Sequence, residues 1–162
     1  MINNMKKNIF HPSSFILHPL LLLFCGFLTA CGLVELHSSK NGDLDGFWHL
    51  ETVDTLATGN SADLREELRF WMFQGGIFQC QSPDFLNGQR LVSQFSHEDG
   101  QIILWKMLYD RREEGDPVVE NVELLQPFGI NQIEGSTFRV EELSGGKMTL
   151  STETLRLIFE KF

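Results

Sequence analysis

The sequence predicts an all-β fold: an antiparallel up-and-down meander of about eight strands that closes into a barrel, with one short helix near 117–125. Three observations carry this. From Trp48 onward the dominant apolar period is two, the period of a strand with one buried face. Glycine-rich turn signals interrupt the alternation at short intervals, as they do between hairpin strands. Short strands in sequence order also leave sheet edges to hide, and closure into a barrel removes them.

The chain opens with a segment of a different kind. Lys6 and Lys7 follow Met5, a second candidate start beside Met1, and Leu20 to Ala30 is an almost wholly apolar run ending in Leu28-Thr29-Ala30-Cys31. Eleven residues are too few to span a bilayer, which takes roughly 20, but they suit the core of an export signal. The stretch resembles a bacterial lipobox. That resemblance implies cleavage before Cys31, a diacylglyceryl group on its thiol and acylation of the new amino terminus. Two or three acyl chains, at about 0.8 kcal/mol per buried methylene, anchor a protein stably without a spanning helix. Residues 1–30 are thus expected to be a lipoprotein signal peptide and the membrane to be held through covalent lipid at Cys31. Gly32 follows, with no acidic pair behind it, and by resemblance to known sorting rules the expected location is the periplasmic face of the outer membrane, with the cell surface as the alternative.

Residues 31–43 include His37-Ser38-Ser39-Lys40-Asn41-Gly42, polar and without periodicity. They are expected to form a flexible tether whose ends lie on the order of 20 Å apart. The domain proper is expected over 44–162. Without residues 1–30 it would carry 11 Lys and Arg against 22 Asp and Glu, a net charge of −11. That argues against nucleic acid and anionic lipid, which are recognised by clustered cations. Arg111-Arg112 approaches a basic cluster, but Glu113-Glu114 follows at once.

The strands follow in order. Leu68, Phe70 and Met72 alternate with Arg69, Trp71 and Phe73, and Gly75-Gly76 turns the chain into Ile77-Phe78-Gln79-Cys80-Gln81. Arg90 through His97 and Gln101 through Tyr109 form a second hairpin about Asp99-Gly100. Phe138 and Val140, Met148 and Leu150, and Leu155, Leu157 and Phe159 continue the alternation, with reversals at Ser144-Gly145-Gly146 and Ser151 to Glu153. Asp116-Pro117 has the form of a helix N-cap followed by Pro at the first helical position. Val118, Val122 and Leu125 lie at i, i+4 and i+7 before Pro127 ends the run, hence the predicted helix.

With Asp45-Gly46-Phe47-Trp48 opening the first strand and Leu155 to Phe162 closing the last, residues 44–162 resemble the small lipocalin-like domains on lipoproteins of Gram-negative gut anaerobes. The resemblance implies structural closure of one barrel end by Gly46 and Trp48, with Arg156 the arginine expected to lie against the Trp ring. It also implies a binding module. A small apolar or amphipathic ligand is expected in a pocket lined by Phe78, Phe95 and Trp105. A barrel interior of this size either holds one small ligand or is filled by side chains. With ten Phe and three Trp beyond residue 30, the alternative is an interaction lipoprotein whose filled barrel serves an envelope protein assembly. Phe70, Phe78, Phe95, Trp105, Phe138 and Phe159 are expected to point inward, leaving Trp71 and Phe73 on the opposite face. An exposed aromatic patch would mark an interaction surface.

No catalytic constellation is visible. Glu66-Glu67, Glu113-Glu114 and Glu141-Glu142 are sequence neighbours whose side chains diverge, whereas acid/base work needs groups converging across a cleft. Cys80, the one thiol left in the domain, reads as a small core residue, with intermolecular pairing or reactivity as the alternatives. His37, His49 and His97 lack metal-ligand spacing. No cofactor, metal or enzymatic activity is expected.

Overall fold

A computed structural model of the protein describes residues 40–162. Ten strands occur among them: β1 (Gly46–Thr55), β2 (Asn60–Asp63), β3 (Phe70–Gln74), β4 (Ile77–Gln81), β5 (Leu91–Glu98), β6 (Gln101–Lys106), β7 (Leu108–Tyr109), β8 (Glu134–Leu143), β9 (Lys147–Ser151) and β10 (Leu155–Lys161). Every pairing is antiparallel, in the order β1-β3-β4-β5-β6-β8-β9-β10, and β10 pairs back onto β1. The result is a closed eight-stranded meander barrel to which β2 and β7 are short additions. β2 folds back on the second half of β1, while β7 continues β6 along β5. Met107, between β6 and β7, is the extra residue of that bulged edge, and the bulge turns its side chain into the core.

The turn chemistry explains the register. Gly75 and Gly100 take positive φ at +62° and +71°, and Asp99 joins Gly100 there at +51°, the left-handed geometry of tight hairpins. Once the first hairpin is set at Phe73↔Phe78, pairing runs regularly through Trp71↔Cys80 and Cys80↔Leu91. This register turns Trp71 and Phe73, with Phe78 and Cys80, into the barrel. Phe70 faces outward instead, the reverse of the expected assignment. Both faces of β3 are apolar, so alternation alone leaves the choice open, and pairing of Trp48 with Trp71 decides it.

The helical segment begins later than Asp116-Pro117 suggests. Asp116 adopts φ +51° and Val118 bridges to Leu108, which holds 116–118 extended. Two short 3-10 turns, Val122–Leu124 and Gln126–Phe128, follow instead. Asn121 caps the first, its side chain accepting from the Glu123 N–H at 2.9 Å. Pro127 sits at the start of the second turn, where its missing N–H costs nothing, rather than ending the segment.

Contacts with the barrel are already made just before position 44. Gly42–Leu44 forms a 3-10 turn, the Asn41 amide donates to the Gly75 carbonyl at 2.6 Å, and Leu44 is fully buried. The rest of the expected tether, the signal segment and Cys31 lie outside the described residues.

Candidate functional site

The interior and the two ends of the barrel are where a ligand or partner would be met. Trp71 is the hub of the interior. Its ring stands edge-on to Phe78 at 4.9 Å and Phe138 at 5.2 Å, tilted against Phe159 at 4.9 Å and near Phe73 at 6.0 Å. Phe73 in turn meets Phe95 at 5.0 Å. These are the preferred separations and angles of packed aromatic pairs. Leu50, Leu91, Ile102, Leu104, Met148, Leu150 and Leu157 fill in between, all essentially without exposure. Large side chains from all eight barrel strands therefore occupy the middle of the barrel.

Phe78 and Phe95 belong to this packed interior. Trp105 does not: it lies on the outer wall, 54% exposed, because Leu104 beside it takes the inward position opposite Phe95. The three residues expected to line one pocket thus fall on two sides of the wall. Ile102, Ile103, Leu104 and Trp105 are all apolar, so the run itself offers no alternation to read.

One end is closed by the opening motif. Trp48 points inward, and its Nε1 donates to the Leu44 carbonyl at 2.8 Å. The cation lying on its ring is Lys161, whose Nζ stands 4.8 Å from the ring and donates to the Asp43 carbonyl at 2.9 Å. Arg156, expected there, stands in register with Asp54 instead and pairs with Glu141 on the barrel surface at 2.9 Å. A hydrogen bond from Ser151, then Arg156 itself, holds the Glu141 carboxyl below its ordinary range. The register is the cause, since Lys161 is the residue directly opposite Trp48. Gly46 completes the arrangement. With φ +141° and the Lys161 side chain across it, an added Cβ would stand 2.4 Å from Lys161 Cε. The glycine is the groove in which the lysine stem lies, and the spacing to Trp48 delivers its ammonium to the ring.

The other end is filled by the connection between β7 and β8. Val119, Leu125, Phe128 and Ile130 are fully buried there, and the Phe128 carbonyl accepts from Trp71 Nε1 at 3.1 Å, tying this plug to the central ring. Phe85 leans edge-on against Phe128 at 5.9 Å, and the Arg69 guanidinium sits 5.4 Å over the Phe85 ring while binding Glu67 and Ser82. Two open clefts remain at this end. One, about 300 Å³, is bounded by Gln132, Ser136, Thr137, Phe138 and the Thr152–Thr154 turn. The second, about 620 Å³, is shallower and polar, between Asn87–Arg90 and Tyr109–Arg111. Its arginines are engaged: Arg90 with Asp110 at 2.7 Å, and Arg111 with Glu114 while stacked on Tyr109.

Cys80 is buried in the core, where loss of solvation pushes its thiol pKa far up, the environment of an inert thiol. Lys161 and Phe128 are the residues the sequence did not point to. The first was within reach of pairing arithmetic between the opening and closing strands; the second sits in a loop with no such signal.

The sequence model of the lipocalin-like domain family matches residues 26–162. The crystal structure of a lipocalin-like protein from Bacteroides uniformis superposes with a TM-score of 0.56 at 27% identity, covering 75% of this chain and 100% of that one. The crystal structure of an uncharacterized protein from Bacteroides eggerthii gives the same TM-score at 21% identity, over 74% of this chain and 99% of that one, a likeness of fold alone. No curated protein matches the chain by sequence.

Proposed function

This chain belongs to the lipocalin-like domain family, and on that premise we propose that it is a lipid-anchored envelope protein that works through its surface, as a rigid filled barrel, rather than by enclosing a ligand. The packing around Trp71 carries the reading. An acyl chain entering the barrel would have to displace rings already at van der Waals distance and break the Trp71 to Phe128 hydrogen bond that seats the plug. The lipobox-like Leu28-Thr29-Ala30-Cys31 supplies the anchor in this reading, with the periplasmic face of the outer membrane as the location and an envelope protein as the partner.

The 300 Å³ cleft favours a second, more limited reading, in which a small ligand is held at the barrel mouth. Its walls are mostly amide and hydroxyl groups, with Phe138 apolar and Glu153 the one carboxylate. A ligand there would be polar, and neutral or cationic, rather than the apolar molecule that a hollow barrel would take.

Native mass spectrometry of the purified full chain, with and without long-chain fatty acids, separates these from an interior binder. The bare protein mass, plus only the covalent lipid, is the expected result. A retained fatty acid that also raises the Tm would refute the filled-barrel reading. Loss of palmitate labelling in Cys31→Ser is the expected test result for the anchor, and equal labelling of that variant would refute it.

A further inference from the structure

Of the three residues expected to line a pocket, Trp105 alone stands on the outer wall, 54% exposed. Its neighbours there form a second kind of site. β6 and β8 pair with Lys106 opposite Glu134 and Leu104 opposite Ser136, which sets Gly135 across from Trp105. The glycine leaves a gap beside the ring: a Cβ at that position would have nothing within 4 Å. Among the described residues no ring or cation stacks on the indole, and its Nε1 has no hydrogen-bond partner. Trp48 and Trp71, by contrast, are buried with Nε1 bonded.

On the far side of Gly135 lies the 300 Å³ cleft. β8 pairs with β9 only from Arg139↔Ser151 onward, so over 135–137 its other margin faces the Thr152–Thr154 turn across an open slot instead of a strand. The Val140 N–H donates to the Gly100 carbonyl on the β6 side, and by alternation the main-chain N–H and C=O of Thr137 face the slot. The carboxamides of Asn131 and Gln132, the Thr154 hydroxyl and the Glu153 carboxylate stand around it, and none of these groups is hydrogen-bonded among the described residues.

We infer that Trp105, Gly135 and this slot together bind a neutral oligosaccharide, one sugar ring lying on the indole beside Gly135 and the next entering the slot. The inference rests on the second reading above and names its ligand. The polar groups select the class. Carboxamides and hydroxyls both donate and accept, while Glu153 accepts only. A sugar hydroxyl does both, so a polyol satisfies the whole set. An ammonium donates only and would leave the amide N–H groups unpaired, and an anion would meet the Glu153 carboxylate. The exposed indole adds the apolar half of the match. Its face carries negative potential and takes the C–H side of a pyranose ring, where the polarised hydrogens lie. The span sets the length. Trp105 and the slot flank β8 on opposite sides, about 10 Å apart by two strand spacings, which is more than one sugar ring covers.

The test is an NMR titration of the isotope-labelled full chain, in zwitterionic micelles free of sugar headgroups, with cellotetraose, chitotetraose and, separately, spermidine. At least one oligosaccharide should move the Trp105 indole signal and the Thr137 and Glu153 amides together, and saturably. Trp105→Ala should weaken that binding about tenfold, while the Trp48 and Trp71 indole signals, which report the packed core, stay in place. Glu153→Gln should change it little, because the amide still accepts from a hydroxyl; loss of all binding in that variant marks a cationic ligand and overturns the saccharide assignment. Cleft amides that move without the Trp105 indole, or with equal affinity in Trp105→Ala, overturn the aromatic seat and leave the polar-cleft reading standing. If neither oligosaccharide moves a signal, the inference falls. Spermidine then separates the two: movement of the Thr137 and Glu153 amides keeps the polar cleft with a cation as its ligand, and silence removes that reading as well.

Discussion

Gly46→Ala isolates why the first strand opens with Gly-x-Trp. Two costs are separable. At φ +141° any side chain is strained, worth about 1–3 kcal/mol. The new Cβ would also meet Lys161 Cε at 2.4 Å, and because that atom is near the end of a flexible chain the lysine swings away rather than the backbone. In doing so it gives up its place over Trp48 and its bond to the Asp43 carbonyl, together about 1–2 kcal/mol for a half-buried ammonium. The single variant should therefore lose about 2–5 kcal/mol. In a Lys161→Ala background the second cost has already been incurred, so Gly46→Ala should cost only about 1–3 kcal/mol. Urea unfolding followed by Trp fluorescence over the four proteins measures the coupling directly, provided the m-values agree. Independent sites add to within about 0.3–0.5 kcal/mol. A coupling inside that margin would refute the claim that the glycine exists to seat the lysine, and a neutral Gly46→Ala would refute the backbone argument as well.

Three further outcomes follow from the same geometry. Trp71→Phe keeps a ring in the hub but leaves the Phe128 carbonyl without its donor; it should cost about 1–3 kcal/mol from that group alone, plus the smaller ring's cavity, and speed amide exchange at Gly129 and Ile130 before global unfolding. Cys80 should resist a thiol reagent at pH 8 in the folded protein and react fully in denaturant, while modification at the rate of a free thiol would contradict its burial. Asp63, hydrogen-bonded through its side chain and backbone to Arg65, is held down to about 2; Arg65→Gln should return its NMR titration toward 3.8. The sign follows from a depressed carboxyl: what this pair contributes to stability is present above the ordinary Asp range and lost as pH falls through about 2, and its full exposure keeps the contribution small.

Local chemistry determined the meander, and local chemistry was visible in the residues. Gly75-Gly76, Asp99-Gly100 and Ser144-Gly145-Gly146 all reverse the chain where the sequence places them; at the first two, positive backbone angles at Gly75, Asp99 and Gly100 need those residue types. What the residues left open were choices settled only across strands. On β3 both parities are apolar, and Trp71 rather than Phe70 turns inward because Trp48 and Cys80 flank it. Trp105 sits in an unbroken apolar run whose facing is fixed by Phe95 opposite Leu104. Arg156 was the natural choice for the Trp48 ring on family likeness, yet Arg156 and Lys161 are five positions apart on a strand whose register with β1 alone decides between them. The start of the helical segment shifts for a similar reason: a bridge from Val118 to Leu108 outweighs the capping tendency of Asp116-Pro117.

The two ends of the barrel are closed by different means, and the difference sets how each can open. At the Trp48 end, closure is made by the strands themselves, with Lys161, Gly46 and the entering turn at Leu44 interlocked by register. Nothing there can open without unpairing β1 from β10. At the other end closure is made by a connection that forms no ladder of its own. It is held by four buried apolar side chains, the hydrogen bond from Trp71, and backbone bonds at its two margins, where Val118 bridges to Leu108 and the Met107 N–H donates to the Ile133 carbonyl. Irregular segments secured mainly by side chains open at lower cost than strand ladders do. Local opening followed by amide exchange should therefore appear first at the plugged end, with the Trp48 end opening only on global unfolding.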